Sequence, residues 1–358
     1  MFCKPYGKTG KMVSAISFGG MRFDRPEEID RNAEIVYHGY QGGINYFDTA
    51  PGYCNDKSED IVGTAVRRMK PGTFYVSTKT FASDADSLKR DLERSLDRLG
   101  VGRIDFYHVW CIVTMDGWQQ RKSVLPAVLK AKEQGLIEHV CVSSHLGGEE
   151  LSQVLGDAPF EGVTLGYCAI NSLYREVAVA AAGQKGLGVV AMNPLGGGII
   201  SSNAQRFAYL RGQDDRSVVE GALRFVVSHP DITSALVGFA TKEHVDEALA
   251  AVRDFRPYSA ARLDEIRRRV TESFDDLCTG CGYCLPCPAG IEVPRMMDSY
   301  NMKLLGNDDK AVVNRLQWHW GMGPQEAAKC TQCGLCQSRC TQKLPIIERM
   351  GQIAKLKS

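Results

Sequence analysis

The chain has 358 residues, 44% of them hydrophobic, with 43 Lys/Arg against 42 Asp/Glu. That length carries two domains with full cores, and the near-neutral balance excludes the strong basic field of a nucleic-acid or anionic-membrane binder. Neither a bilayer-spanning apolar run of about 18 residues nor an apolar leader is present, so a cytoplasmic, reducing setting is expected.

Short β-branched and aromatic runs alternate with amphipathic helical patterns over about 250 residues, the span of a barrel domain. Candidate strands lie at 13–19, 44–48, 73–79, 104–110, 137–144, 162–167, 188–193 and 233–239. Among the helices between them, 84–99 is the clearest: Leu88, Leu92, Leu96 and Leu99 make one apolar stripe, Ser83 with Asp86 supplies a capping-box variant, and Gly100 supplies the stop. Eight strand–helix units predict an α/β (β/α)8 TIM barrel. A doubly wound sheet is the alternative, but no Gly-x-Gly-x-x-Gly follows the first strand. The barrel is expected over 1–255. A linker helix follows over 256–277, with Leu263, Ile266, Val270, Phe274 and Leu277 on one face.

Residues 278–358 are expected to form a small, mainly α-helical ferredoxin-like domain. Pro294 reads as a helix start, Gly306 as a stop, and Trp318 and Trp320 as core of a second helical stretch. This part holds eight of the thirteen cysteines, as Cys278-x2-Cys281-x2-Cys284-x2-Cys287-Pro288 and Cys330-x2-Cys333-x2-Cys336-x3-Cys340. Three thiolates at x2 spacing let one loop reach three corners of an iron–sulfur cubane, and in two-cluster ferredoxins the fourth ligates the other cluster. The expected ligand sets of two [4Fe-4S] clusters are therefore Cys278, Cys281, Cys284 and Cys340, and Cys330, Cys333, Cys336 and Cys287. Paired zinc sites are the rival reading, although zinc motifs usually separate two Cys-x2-Cys pairs by a longer stretch. The first motif has x2 where bacterial ferredoxins have x3, and no proline follows Cys340. The other cysteines (Cys3, Cys54, Cys111, Cys141, Cys168) read as small buried hydrophobes. Residues 278–358 carry ten Lys/Arg against six Asp/Glu. That excess offsets anionic cubanes, or offers a docking face to an acidic redox protein.

Barrel chemistry sits at the C-terminal ends of the strands. Asp48 ends the second candidate strand, Tyr53 follows in the next loop, Lys79 ends the third, and His108 lies near the end of the fourth. Taken singly, each has a structural explanation in an ion pair or a satisfied polar group. Together they make a proton-transfer set. An ammonium beside a tyrosine lowers the phenol from its usual value of about 10. Asp48 holds Lys79 charged, His108 orients a substrate oxygen, and the set protonates a carbonyl as hydride reaches its carbon, or runs the reverse. A nicotinamide dinucleotide is the simplest hydride donor.

The motifs Gly7-Lys8-Thr9-Gly10, Phe47-Asp48-Thr49-Ala50-x-x-Tyr53, Ser77-Thr78-Lys79 and Phe106-Tyr107-His108 resemble the aldo-keto reductase superfamily. So do Gly135-Leu136-Ile137, Val142-Ser143-Ser144-His145 and Pro194-Leu195-Gly196-Gly197-Gly198. The resemblance implies Asp48, Tyr53, Lys79 and His108 as a catalytic tetrad with Tyr53 as proton donor, acting on a small carbonyl or alcohol with NADP or NAD. It implies carboxamide contacts from Ser143 and Ser144, with Thr164 at a usual glutamine position. Met192 stands where many members stack a tyrosine on the nicotinamide, and Gly20, Met21, Leu195 and Gly197 line the cofactor through the backbone. Gly238, Thr241, Lys242, His244 and Glu247 fall in the loop that reads the 2′-phosphate, where Lys242 is the one firm positive charge. Trp110, Cys111 and Trp118 either line the substrate pocket or pack.

Hydride carries two electrons and a cubane accepts one, and no flavin motif joins the halves. The sequence leaves several readings. One is a carbonyl reductase whose clusters staple a helical domain or dock a partner. Others are a relay of single electrons to a barrel-bound flavin or substrate, a redox-responsive binding module, or a plain electron carrier.

Overall fold

The computed structural model describes the chain except residues 274–276, 279–281, 283, 306, 307, 341, 342 and 358, and the side chains of 174, 271 and 273. It begins with a hairpin: β1 (Cys3–Pro5) pairs antiparallel with β2 (Met12–Ser14). The run expected as one strand over 13–19 is broken after Ser14, whose backbone N–H donates to Asn45 Oδ1 at 2.8 Å and whose hydroxyl donates to Ile16 O at 2.7 Å.

Eight parallel strands then close a barrel: β3 (Ile16–Gly19), β4 (Tyr46–Asp48), β5 (Tyr75–Thr80), β6 (Ile104–Ile112), β7 (Ile137–Ser144), β8 (Gly162–Gly166), β9 (Gly188–Met192) and β10 (Ser234–Gly238). β10 pairs back onto β3 and shuts the sheet. Each strand lies within a residue or two of its predicted position, apart from the start of the first.

Tyr6, from the hairpin loop, plugs the N-terminal end. Its ring lies 4.2 Å from Phe106 and 6.1 Å from Tyr46, and its hydroxyl is 3.5 Å from Cys141 Sγ. That floor of apolar and aromatic side chains leaves the C-terminal mouth as the place for chemistry. The helix Ala85–Leu99 buries Leu88, Leu92 and Leu99, as its stripe predicts. Its N-cap is Asp84 rather than Ser83: Oδ1 of Asp84 accepts from Ser87 N at 2.9 Å.

The chain divides into two compact units: Met1–Cys168 with Val177–Tyr258, and Ala169–Glu176 with Ser259–Ser358. In the second unit, a helix runs over Ala260–Ser273 within the expected 256–277; Phe274 lies outside the described residues. Pro294 opens the helix Val293–Leu304 as predicted, while Gly306 lies outside the described residues. Met296, Met297, Val312, Leu316, Ile346 and Met350 form its core together with cysteines. Trp320 joins the buried set and donates its indole N–H to Asp298 at 2.8 Å, but Trp318 is 79% exposed. Two positions along a helix point to nearly opposite sides, so burying one sends the other to solvent. Among the described residues no helix is long and apolar enough to cross a membrane.

Candidate active site and cluster domain

Asp48, Lys79 and His108 end up adjacent because the strand register aligns Asp48 with Ser77 and Lys79 with His108. With a side-chain period of two, Ser77 and Lys79 share the inner face of β5, and Phe106 and His108 the inner face of β6. Lys79 Nζ donates to both carboxylate oxygens of Asp48 at 2.6 Å and to Thr49 O at 2.8 Å. The pair is 1–2% exposed.

Tyr53 faces this pair, with Lys79 Nζ 5.3 Å from the centre of its ring and Trp110 edge-on at 5.2 Å. It stands at the start of a left-handed turn. Gly52, Cys54, Asn55 and Asp56 all have positive φ, at 79°, 54°, 54° and 62°. Left-handed geometry costs a non-glycine residue about 1 kcal/mol or more, so something must hold this turn.

Burial, then the Asp48 carboxylate, then the Cys111 and Cys54 thiols push the Tyr53 phenol well above its usual value. This overturns the expected lowering by Lys79. Desolvation of the phenol and the facing Asp48 carboxylate together outweigh the ammonium.

His108 is held on both sides. Ser77 donates its one hydroxyl proton to Asp48 Oδ1 at 2.7 Å, and its oxygen lies 3.4 Å from His108 Nδ1. Thr164 Oγ1 lies 3.1 Å from His108 Nε2. Burial, reinforced by the Lys79 charge, lowers the imidazole to about 3, so the ring is neutral. With the Ser77 proton committed to Asp48, His108 carries its own proton on Nδ1 toward Ser77. Nε2 is then the acceptor for the Thr164 hydroxyl. Thr164, expected at the cofactor carboxamide, is thus engaged with the histidine.

The other expected cofactor residues divide. Ser143 shares the inner face of β7 with the core residue Cys141, whereas Ser144 donates to Ile112 O and accepts from Leu146 N, both at 3.1 Å. That engagement takes the Ser144 hydroxyl away from the mouth. Met192 ends β9, half-buried, its carbonyl accepting from Tyr167 N at 3.1 Å. Leu195 O accepts from Gly198 N and Ile200 N at 3.2 Å, fixing the loop that carries Gly197. Thr241 caps the helix Lys242–Ala250 by accepting from His244 N at 3.3 Å. Lys242 and His244 are exposed beside it and Glu247 is half-buried.

A cradle is visible at Gly20, whose N–H donates to Asp48 O at 2.8 Å. A Cβ there would stand 2.5 Å from Ser58 Oγ, so only glycine lets the backbone lie this close to Asp48. Met21 beside it is 56% exposed.

Sequence reasoning missed the next residue, Arg22. Its stem lies on Gly238, where any Cβ would collide with it, and its Nη2 reaches 3.9 Å from a Cβ position at Gly197. Among the described residues it makes no ion pair or hydrogen bond, so an exposed guanidinium stands free between two glycines expected along the cofactor. The signal was its place directly after Gly20-Met21. Phe81 was also missed: 49% exposed, it packs against Trp110 in a tilted pair at 3.8 Å, beside the tyrosine. Trp118 is packing, fully buried with its N–H on Asp157 at 2.6 Å. Cys54 and Cys111 flank Tyr53 instead of lying in the core. Burial keeps both protonated, pushing the Cys111 thiol up to about 12.

In the second unit Cys284, Cys336 and Cys340 are core residues, with Cys278, Cys287 and Cys330 packed against the same cluster and Cys333 exposed. Cys281 lies outside the described residues. Burial raises the Cys336 thiol, the Gln337 backbone N–H opposes it, and the nearby Cys330, Cys287 and Cys333 add to the rise. Asn301 pins Cys278, accepting from its N–H at 2.8 Å and donating to its carbonyl at 2.9 Å. Among the described residues no three potential ligands already stand at metal-binding spacing. Six of the eight nonetheless gather in one core, an all-sulfur donor set of the kind that suits thiolate-ligated iron–sulfur clusters.

Comparisons with known proteins agree with both halves. Residues 15–268 match the aldo/keto reductase family model, and residues 277–345 match a 4Fe-4S dicluster domain. L-galactose dehydrogenase of Arabidopsis thaliana is 27% identical over 280 residues, covering 69% of this chain and 87% of its own. The uncharacterized oxidoreductase YrpG of Bacillus subtilis is 24% identical over 295 residues, covering 69% and 89%. In fold, the holo form of an aldo-keto reductase from Bacillus halodurans superposes with a TM-score of 0.66 at 21% identity, over 75% of this chain and 96% of that one. With its closed eight-stranded barrel and its cysteine-rich helical unit, the chain belongs to the aldo/keto reductase family and is an oxidoreductase carrying a 4Fe-4S dicluster domain.

Proposed function

We propose that the barrel interconverts a carbonyl and an alcohol with NAD(P)H, and that Tyr53 is the proton donor. The observation that carries this reading is the phenol standing over the Lys79 ammonium, 5.3 Å from ring centre to Nζ, while Asp48 grips that ammonium with both oxygens. A bound nicotinamide dinucleotide supplies the hydride. Tyr53, its pKa raised, reaches the reaction protonated and delivers that proton to the oxygen as negative charge develops there. Lys79 stabilises the phenolate left behind, and Asp48 keeps Lys79 in place. Neutral His108 fixes the geometry of the oxygen site from the neighbouring strand. Arg22 offers a free cation to the dinucleotide. Lys242 and exposed His244 favour NADP over NAD at the adenosine end.

The eight cysteines hold two [4Fe-4S] clusters, which cross-link the helical unit through its core. A structural role fits the thiols gathered there, and the basic excess of residues 278–358 suits an acidic redox protein as a docking partner.

The test is anaerobically purified Tyr53→Phe protein, assayed with NADPH and NADH against aldehydes and ketones. Aldoses belong first in the panel, given the L-galactose dehydrogenase relative. Loss of roughly 10²–10⁴ in rate, the size of a general-acid contribution, with the brown cluster absorption retained, supports the assignment; an unchanged rate refutes it. Bleaching of the cluster absorption by NADPH alone would refute the structural role of the clusters.

A further inference from the structure

Tyr53 sits on backbone that its own sequence does not favour. Cys54, Asn55 and Asp56 follow one another with positive φ, without a glycine among them. Local bonds close the turn: Lys57 N donates to Tyr53 O and Cys54 O at 3.1 Å, and Gly52 N to Asp56 Oδ1 at 2.9 Å. These alone are the bonds of a short, exposed turn.

Cys54 Sγ adds a bond to Gly20 O at 3.5 Å, and the rest of the restraint comes from two arginines of a helix distant in sequence, chiefly Arg98. Arg98, in the last turn of the helix Ala85–Leu99, reaches Asp56 with Nη1 at 2.9 Å to Oδ1, and Nη2 donates to the Asp56 carbonyl. Its Nε and Nη2 form a fork on Asp60, at 2.9 and 2.8 Å. Nη1 also lies 3.4 Å from Glu59 Oε2. Arg94, one helical turn earlier, pairs with the other Asp56 oxygen.

Glu59 links this centre to the catalytic strand. It is 1% exposed and accepts from Thr78 Oγ1 at 2.8 Å, and Thr78 directly precedes Lys79 on β5. One guanidinium therefore ties the turn carrying the phenol to the strand carrying the ammonium. Burial pushes the Asp56 carboxyl up, but the Gly52 N–H, the Arg98 hydrogen bond and the two guanidinium charges outweigh it, so the carboxylate is held ionised for the clamp.

We propose that Arg98 is a positioning residue for the reaction: by clamping the left-handed turn Cys54–Asp56, it sets Tyr53 against Lys79. Its action runs through the turn and through Glu59, not on the reacting atoms. This rests on the reading of Tyr53 as proton donor.

The experiment compares full-length, cluster-loaded Arg98→Met, Arg98→Met/Asn55→Gly, Asp56→Asn and Tyr53→Phe with the parent, using NADPH and 4-nitrobenzaldehyde as the probe pair. NADPH affinity is read separately from quenching of tryptophan fluorescence. Arg98→Met is expected to lower kcat by at least about 10-fold, the loss that a small misplacement of a catalytic group produces. KM and NADPH affinity should stay within about twofold. Adding Asn55→Gly should return part of kcat, because glycine adopts positive φ without a clamp. Should Arg98→Met fail to fold, Asp56→Asn reports the same contact while leaving Arg98 its bonds to Asp60 and Glu59, and is expected to lower kcat in the same sense. The proposal is overturned if Tyr53→Phe is inactive while Arg98→Met and Asp56→Asn turn over like the parent, or if the lost kcat comes with lost NADPH affinity and no recovery by glycine. An active Tyr53→Phe would instead sink the proton-donor reading itself.

Discussion

Thr164 donates its hydroxyl to Nε2 of His108 across the barrel mouth, at 3.1 Å. The hydrogen-bond chain runs from Thr164 through the imidazole to Ser77 and ends on Asp48, so the residue expected at the carboxamide position braces His108. Thr164→Val keeps the side-chain shape and removes the donor. Losing a buried hydroxyl–imidazole bond costs about 1–3 kcal/mol. The ring would then be free to turn, and kcat should fall roughly 10-fold while NADPH affinity holds. A variant that keeps its kcat but binds NADPH more weakly would return Thr164 to the cofactor.

His108 also makes stability depend on pH. Folded, the ring titrates near 3; unfolded, a histidine titrates near 6.5. Between those values the unfolded chain binds a proton that the folded chain refuses, so stability is complete above about pH 6.5 and falls as the solution is acidified. The loss from this group is up to about 1.4 kcal/mol per pH unit. Urea denaturation from pH 7 to pH 4 should show a slope steeper than that of His108→Asn by close to one proton. Equal slopes in the two proteins would mean that the ring protonates while folded.

Much of this was readable in the chain, for physical reasons. β5 through β10 alternate or run apolar between turn signals, and that periodicity reports burial directly. Asp48, Lys79 and His108 were readable because parallel strands bring successive C-terminal ends to one mouth. The break after Ser14 was not, because it depends on Asn45, 31 positions away, bonding to the Ser14 N–H. The direction of the Tyr53 shift was missed because the burial of the phenol and its exposure to the Asp48 carboxylate exist only once the site is assembled. Arg22 carries no motif, and its significance is that Gly238 and Gly197 leave it room.

That room leads to a binding prediction. Arg22 spends its charge on no neighbour among the described residues, so it is available to an anionic ligand, and the expected dinucleotide brings a diphosphate. Charge-assisted hydrogen bonds contribute about 1.5–3 kcal/mol. Arg22→Met should therefore raise the NADPH dissociation constant by roughly 10-fold or more, and should flatten its dependence on salt. Fluorescence titration at two ionic strengths measures both. Unchanged affinity and an unchanged salt slope would leave Arg22 as a surface residue.

The crossed cysteine assignment makes a prediction that one motif per cluster would not. Cys287 ends the first motif, yet the two-cluster rule assigns it to the cubane of the second, with Cys336. If the thiolates cross between motifs, Cys287→Ala breaks the cluster that Cys330, Cys333 and Cys336 hold, and Cys340→Ala breaks the one held by Cys278, Cys281 and Cys284. Each variant should lose about half of its iron and sulfide after anaerobic purification. The double variant Cys287→Ala/Cys336→Ala should lose no more than either single change, since both strike one cluster. Pairing Cys287→Ala with Cys284→Ala should remove nearly all the iron, because those neighbours in sequence would serve different clusters. Were Cys287 and Cys284 ligands of the same cubane, that pair would instead retain half, and the crossed arrangement would be wrong.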